Sequence, residues 1–287
     1  MTEQRPSIFD RALHLRRLAR RRGAADDALA PIANSLAERL AEITRRFDNA
    51  LVISPFASLF TARIAASGRT ARLTAIAPPA DDDLRLAPAS CDAIFDLLDL
   101  HAVNDVPGRL AQISRALRPD GLYLACFFGG ETLAELRQAW IEAELEDRGR
   151  VSPRVAPMID IRSAGALLQR AGLALPVADM DRARLRYPDA LSLMREISHL
   201  GMSNILCDRA RTPATRRLVL AAASHYRNRN ADGDGRVAAT LELIWLTAWS
   251  PHGSQPKPLK PGSAEKRLAD ALGAVETRFK ADRSEKE

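Results

Sequence analysis

Five polar residues crowd one short stretch of this chain: Asp96, Asp99, His101, Asn104 and Asp105. An imidazole among carboxylates suits proton transfer, because histidine titrates near neutral pH and its neighbours tune it. His101 reads as a general base, with Asn104 and Asp105 beside it in a candidate catalytic set. A plainer reading uses the same residues as structure: His101 and Asn104 cap the following helix and hold the loop. Metal chemistry finds little support. The histidines, at 14, 101, 199, 225 and 252, form no HxD or HxxxH pair, and Cys91, Cys126 and Cys207 form no CxxC pair. No metal site is expected. Three distant thiols are expected to be reduced, which fits the cytoplasm.

These residues must be held by alternating strands and helices. Two helices are predicted first, over 8–22 and 26–46; the second has Leu29, Ile32, Leu36, Leu40 and Ile43 on one stripe, and Pro31 sits near its first turn or breaks it. Short apolar runs then read as buried strands at 50–53, 73–77, 92–98 and 122–128. Helices are predicted between or after them at 59–66, 106–117 and 132–146. The turn signal Pro119-Asp120-Gly121 precedes the fourth strand, and Gly129-Gly130 follows it. This rhythm predicts a parallel sheet covered on both faces, with the polar stretch at the carboxyl end of a strand, where such folds place their clefts. Beyond 150 the pattern is mostly helical (163–170, 190–200, 213–227), with possible strands at 177–185 and 235–249. From Ser250 the chain reads as extended, and 280–287 as disordered.

The net charge of +6 is carried almost wholly by arginine, and the first lysine is Lys257. The charge is spread widely with no aromatic-studded basic stripe, so nucleic-acid binding is not expected. No uninterrupted apolar run of about 18 residues occurs, so no transmembrane helix is expected. The segment 1–25 lacks the apolar core of a secretory signal, and Glu3 and Asp10 argue against a mitochondrial transit peptide. The Arg-rich stretch from Arg11 to Arg22 would suit peripheral contact with acidic protein or anionic lipid.

An ordered series of short motifs carries a resemblance. It starts at Ile8-Phe9-Asp10-Arg11 and continues with His101-Ala102-Val103-Asn104-Asp105-Val106-Pro107-Gly108, Leu117-Arg118-Pro119-Asp120-Gly121 and Gly129-Gly130-Glu131-Thr132-Leu133. Ser152-Pro153-Arg154, Gly201 with Ser203-Asn204, Trp249-Ser250-Pro251-His252 and Pro261-Gly262-Ser263-Ala264 follow. This string resembles the methyltransferase-like assembly factors of respiratory complex I, whose mitochondrial member is described as a protein-arginine hydroxylase. It is more distantly similar to the malonyl-carrier methyltransferases of the biotin pathway.

The resemblance implies an α/β fold of class I methyltransferase (Rossmann-like) type: a mostly parallel sheet with helices on both faces, N-terminal helices and a largely helical C-terminal part. The domains then divide as N-terminal helices 1–48, an α/β core 49–150, a part 151–272 that completes the domain and forms a cap or client-binding surface, and a tail 273–287. It also implies S-adenosylmethionine as cofactor, held by a glycine-rich loop after the first strand and an acid ending the second. Here that loop reads Ser54-Pro55-Phe56-Ala57-Ser58, without glycine, and Phe56 stands where bare backbone would face the ligand. The second strand ends at Ala77-Pro78 with no carboxylate, and the segment to Asp81 is short, as if a strand and a helix were partly deleted. Ser54, Phe56, Ser58, Ala77, Asp82, Asp83 and Asp96 are the positions where the cofactor would lie. Two outcomes stay open: altered binding with Asp82 or Asp83 near the adenine, or a degenerate site. The expected function is binding of a protein client, by resemblance a peripheral-arm subunit of complex I. The alternative is an active S-adenosylmethionine-dependent methyltransferase or protein-arginine-modifying enzyme.

Overall fold

A computed structural model describes residues 7–21 and 25–256. By contacts the chain divides into Met1–His252 and Gly253–Glu287, and the first unit holds every described helix and strand. The tail expected at 273–287, its disordered end and Pro261–Ala264 lie outside the described residues.

Four strands run parallel in the order β2 (Thr70–Ile76), β1 (Phe47–Ile53), β3 (Cys91–Leu97), β4 (Leu117–Phe128). The sheet continues with β6 (Val237–Trp249), antiparallel to β4, and ends at β5 (Ala174–Tyr187), antiparallel to β6. This mostly parallel sheet is the class I methyltransferase-like sheet that the sequence predicts. Between Ile76 and Cys91 no helix or strand intervenes, as the short segment there implies. The late strand predicted at 177–185 is longer than its apolar run suggests, the one predicted at 235–249 starts two residues later, and the two lie side by side. Pro119-Asp120-Gly121 does not precede β4 but lies within its irregular start, where the β3–β4 register shifts and Asp120 takes φ +63°.

Alternation along the strands separates two cores. Val52, Phe95, Leu124 and Trp245 face α1 (Arg11–Ala19), α2 (Ala25–Glu42) and α3 (Ala57–Ala66), whose Leu18, Leu36, Leu40 and Phe60 are buried there. Ile53, Ile94, Tyr123 and Leu246 face α4 (Val106–Ala116) and α6 (Ile161–Arg170) through Leu110, Ile113 and Leu168. Pro31 lies inside α2 without ending it. A third cluster joins α5 (Ala134–Arg148), α7 (Ala190–His199) and α8 (Arg216–Asn230) to the projecting ends of β5 and β6, with the Tyr226 hydroxyl donating to the Ala238 carbonyl at 2.7 Å. β5 forms one edge of the sheet, with Arg182, Arg184 and Arg186 exposed along it.

The Gly129-Gly130 turn after β4 is required by packing. Gly130 takes φ +52°, and a Cβ there would come 1.9 Å from the Glu242 Oε2 atom that accepts the Glu131 N–H at 2.8 Å. Gly68 takes φ +66° but faces open space. In urea denaturation Gly68→Ala is expected to lose only the left-handed backbone term, roughly 1–2 kcal/mol. Gly130→Ala should lose about 1–3 kcal/mol more, because Glu242 must move. Equal losses would mean that Glu242 yields freely.

Candidate functional site

The carboxyl ends of β1 and β3 face the region where the sequence places the cofactor. Ser54 is buried, and its Oγ accepts the Phe56 N–H at 3.0 Å, folding the loop onto itself. The Phe56 ring is fully buried in the core beneath α1 and α2. Arg21 closes it from outside: its guanidinium sits 4.9 Å from the ring centre and donates to the Pro55 carbonyl at 3.1 Å. Ser58, Ala77 and Asp83 are exposed, and Asp83 accepts the Arg85 N–H at 3.1 Å.

Behind this loop lies a buried ionic network. Arg11, from the first turn of α1, holds both oxygens of fully buried Asp99, at 2.8 and 3.1 Å. Its Nε lies 3.1 Å from Asp82, and its Nη2 donates to the Pro79 carbonyl at 3.1 Å. Arg109, also fully buried, donates to Asp99 at 3.1 Å and stands 3.9 Å from Asp96. Two guanidinium groups thus face three carboxyl groups. Burial pushes Asp96 up to about 7, against the pull of Arg109. Both Asp96 oxygens and the adjacent Tyr123 hydroxyl lack hydrogen-bond partners, and burial, with Asp96 nearby, holds that phenol well above its ordinary value.

The catalytic candidates separate. Asn104 pins the N-terminal segment: its Oδ1 accepts the N–H groups of Ile8 (2.9 Å) and Phe9 (2.8 Å), its Nδ2 donates to the Phe9 carbonyl (3.0 Å), and its own N–H donates to Asp82 (2.9 Å). Asp105 is the N-cap of α4, accepting the Gly108 N–H at 3.0 Å. His101 packs edge-on against Phe128 at 5.0 Å and lies 6.4 Å from His14. Burial drives His101 down to about 3, assisted by His14, and His14 down to about 4, assisted by Arg11. A base at those values is far from the neutral range that general-base catalysis favours.

Sequence reasoning did not single out Arg109 or His14, and it read Arg11 as part of an outward-facing basic stretch, whereas Arg11 is buried against Asp99. Arg109 lies on an amphipathic helix, where an arginine resembles a surface charge. Arg11 stood in the first resemblance motif, the signal that pointed toward a role inside the fold. The segments that carry the resemblance meet around this network: Asp10 N–H donates to the Ile205 carbonyl at 2.8 Å, and Asn204 Nδ2 donates to the Pro153 carbonyl at 2.8 Å. Arg154, in another of these segments, donates to buried Glu144 at 2.9 Å. Among the described residues no group of three histidine, cysteine or acidic side chains could hold a metal ion. No described helix is long and apolar enough to cross a membrane.

A cavity of about 560 Å³ opens past the end of β4, between α1, α2, α7 and the projecting β5–β6 ribbon. His14, His101 and Phe128 line it; Asn104, Asp105 and the seven expected cofactor positions do not.

The two histidines predict an acid response. Their folded values lie below the ordinary 6.5, so between pH 6.5 and about 4 the unfolded chain binds more protons than the folded one. Their contribution is fully present above pH 6.5 and is lost as pH falls, by up to about 1.4 kcal/mol per pH unit per histidine. Asp96 acts oppositely, since its raised value favours the folded state at acid pH. The readout is therefore the difference between wild type and the double variant His14→Phe/His101→Phe in urea melts from pH 7 to 4. The wild type should lose more stability across that range; parallel curves would refute the assignment.

No family model matches the chain. It is 34% identical over 257 residues to the zebrafish (Danio rerio) protein named arginine-hydroxylase NDUFAF5, mitochondrial, across 83% of this chain and 80% of that protein. The human (Homo sapiens) protein of that name is 38% identical over 173 residues, 60% of this chain and 50% of its own length. A malonyl-[acyl-carrier protein] O-methyltransferase from Xylella fastidiosa is 37% identical over 169 residues, 58% of this chain and 55% of that one. With that identity along four-fifths of the zebrafish relative, and with the sheet order described above, the chain belongs to the NDUFAF5 arginine-hydroxylase family and has a class I methyltransferase-like fold.

Proposed function

We propose that this chain is an assembly factor that binds a protein client and has lost S-adenosylmethionine as a cofactor. The observation that carries this reading is the filled crevice at the ends of β1 and β3. The residues there do not fit the group. A nucleoside and its amino-acid end need free backbone and an acid at the strand ends. This chain offers the buried Phe56 ring, a Pro55 carbonyl already engaged by Arg21, and an exposed Ala77. Asp82, the nearest substitute acid, already accepts from the Asn104 N–H and faces Arg11. Recruiting Asp82 to the ligand would mean separating it from buried Arg11, whose Nε lies 3.1 Å away. Breaking a buried pair costs about 3–5 kcal/mol, a large part of the roughly 8 kcal/mol that micromolar affinity represents.

By the resemblance, the client is a peripheral-arm subunit of respiratory complex I. The surface that would receive it is the part from 151 onward, where β5, β6, α7 and α8 project beyond the rest of the sheet. The second reading, an active S-adenosylmethionine-dependent methyltransferase or an enzyme that modifies an arginine side chain, is favoured by the names of the relatives.

Calorimetric titration of the purified chain with S-adenosylmethionine tests the cofactor half of the proposal. No saturable heat is expected up to millimolar ligand, and a micromolar isotherm would reverse it. The client half is tested by affinity capture from the native host. Enrichment of a complex I peripheral-arm subunit is expected, and capture without any complex I subunit would count against it.

A further inference from the structure

Two strands end the sheet, and β5 has 14 residues against 7 in β2. No described strand pairs with the outer side of β5. An open edge of this kind offers its N–H and C=O groups to an extended segment from another chain. From Arg182 to Arg186 every residue is exposed.

The two faces of this stretch differ, because side chains alternate along a strand. One face carries Arg182, Arg184 and Arg186, whose side chains are 48–69% exposed. Their carboxylate partners come from the β6 side: Glu242 on β6, and Asp232 and Asp234 in the turn before it. Asp232 serves two of them, 3.1 Å from Arg186 and 3.7 Å from Arg184. Exposed pairs hold weakly, and each guanidinium has five N–H donors, enough for a second carboxylate arriving from the open side. The other face carries Ala183 and Leu185, exposed and apolar. Asp181 and Asp179, further back on that face, already meet Arg39 at 3.3 and 2.7 Å. A second copy of the chain pairing through this stretch would set arginine against arginine, which disfavours it as the occupant.

We infer that this edge takes up an extended segment of the client as an added strand, with acidic residues beside Arg182, Arg184 and Arg186 and apolar residues beside Ala183 and Leu185. The inference rests on the client-binding reading above and names the chemistry of what the client presents. Backbone hydrogen bonds along the edge supply affinity, and the alternating side chains supply selectivity. Opposite charges facing each other across a strand pair are favourable.

The probe is a blocked octapeptide of alternating glutamate and valine with a terminal fluorophore, titrated into the full chain by polarisation and located by amide NMR spectra. Saturable binding is expected, with the shifts concentrated on β5. The matching lysine–valine peptide should bind at least about tenfold more weakly, because its charges oppose the arginines. A glutamate–valine peptide N-methylated throughout should also bind at least about tenfold more weakly, since it keeps the charge but cannot donate to the edge. The triple variant Arg182→Gln/Arg184→Gln/Arg186→Gln should weaken the acidic peptide about tenfold with an unchanged circular dichroism spectrum. The peptide comparisons on wild type decide the matter even if that variant fails to fold. The inference is overturned if folded wild type shows no saturable binding of the acidic peptide. It is equally overturned if the lysine or the N-methylated peptide binds as tightly, or if the shifts fall away from β5. In affinity capture, a folded triple variant that retains its complex I subunit undiminished overturns the edge and leaves the client proposal standing. Wild type that captures no complex I subunit but binds the acidic peptide loses the named client and keeps the edge.

Discussion

Arg11 reaches from the first turn of α1 into the end of the sheet, where Asp99 receives two of its nitrogens in a parallel pair of hydrogen bonds. That contact joins segments 88 residues apart, and neither charge has an exit to water. Buried ionic groups are tolerated when every partner is in place and are severely destabilising when one is missing. The N-terminal helix and the loop after β3 therefore depend on each other, and Asn104 reinforces the same docking through the backbone of Ile8 and Phe9. Arg109 joins from α4 on the opposite face of the sheet, so one anionic carboxylate position couples both helical layers.

Once α1 is held there, the rest of that end of the molecule follows. Arg21 lies over Phe56 and engages Pro55, so the loop after β1 is covered by the segment that Arg11 anchors. Gly201 takes φ +75° with its would-be Cβ 2.8 Å from the Arg17 carbonyl, which lets the end of α7 approach the α1 backbone. Between these anchor points the apolar chamber remains open, because the β5–β6 ribbon and α7 stand off from α1 and α2. The fold has filled the place nearest the strand ends with charge pairs and left the space beyond it apolar.

The sheet was legible in the sequence because its strands are short apolar runs bounded by glycine, proline and acidic turns, and its helices carry stripes at three- and four-residue spacing. The boundaries of β5 were less legible: an edge strand with arginine at 182, 184 and 186 lacks the apolar signature of a buried one. Within the site, the missing glycines after β1 and the missing acid after β2 could be read directly, since those are local features. The Arg11–Asp99–Arg109 network could not, because ion pairing across 88 residues leaves no periodicity in the chain. His101 drew attention as a titratable group beside carboxylates. Its depressed pKa comes from burial against Phe128 and His14, a property of packing that a linear sequence does not carry.

The arginines that obscured β5 also govern its outer edge. A long edge strand with open N–H and C=O groups invites a second strand to add to it, and charged side chains along that edge are a common safeguard against fibrous self-association. Val177, Met180 and Leu185 are exposed on the same strand, so the guanidinium groups at 182, 184 and 186 are interspersed with apolar side chains that would otherwise make it sticky. The strand that walls the chamber on one side thus carries charge along the outer edge of the sheet on the other.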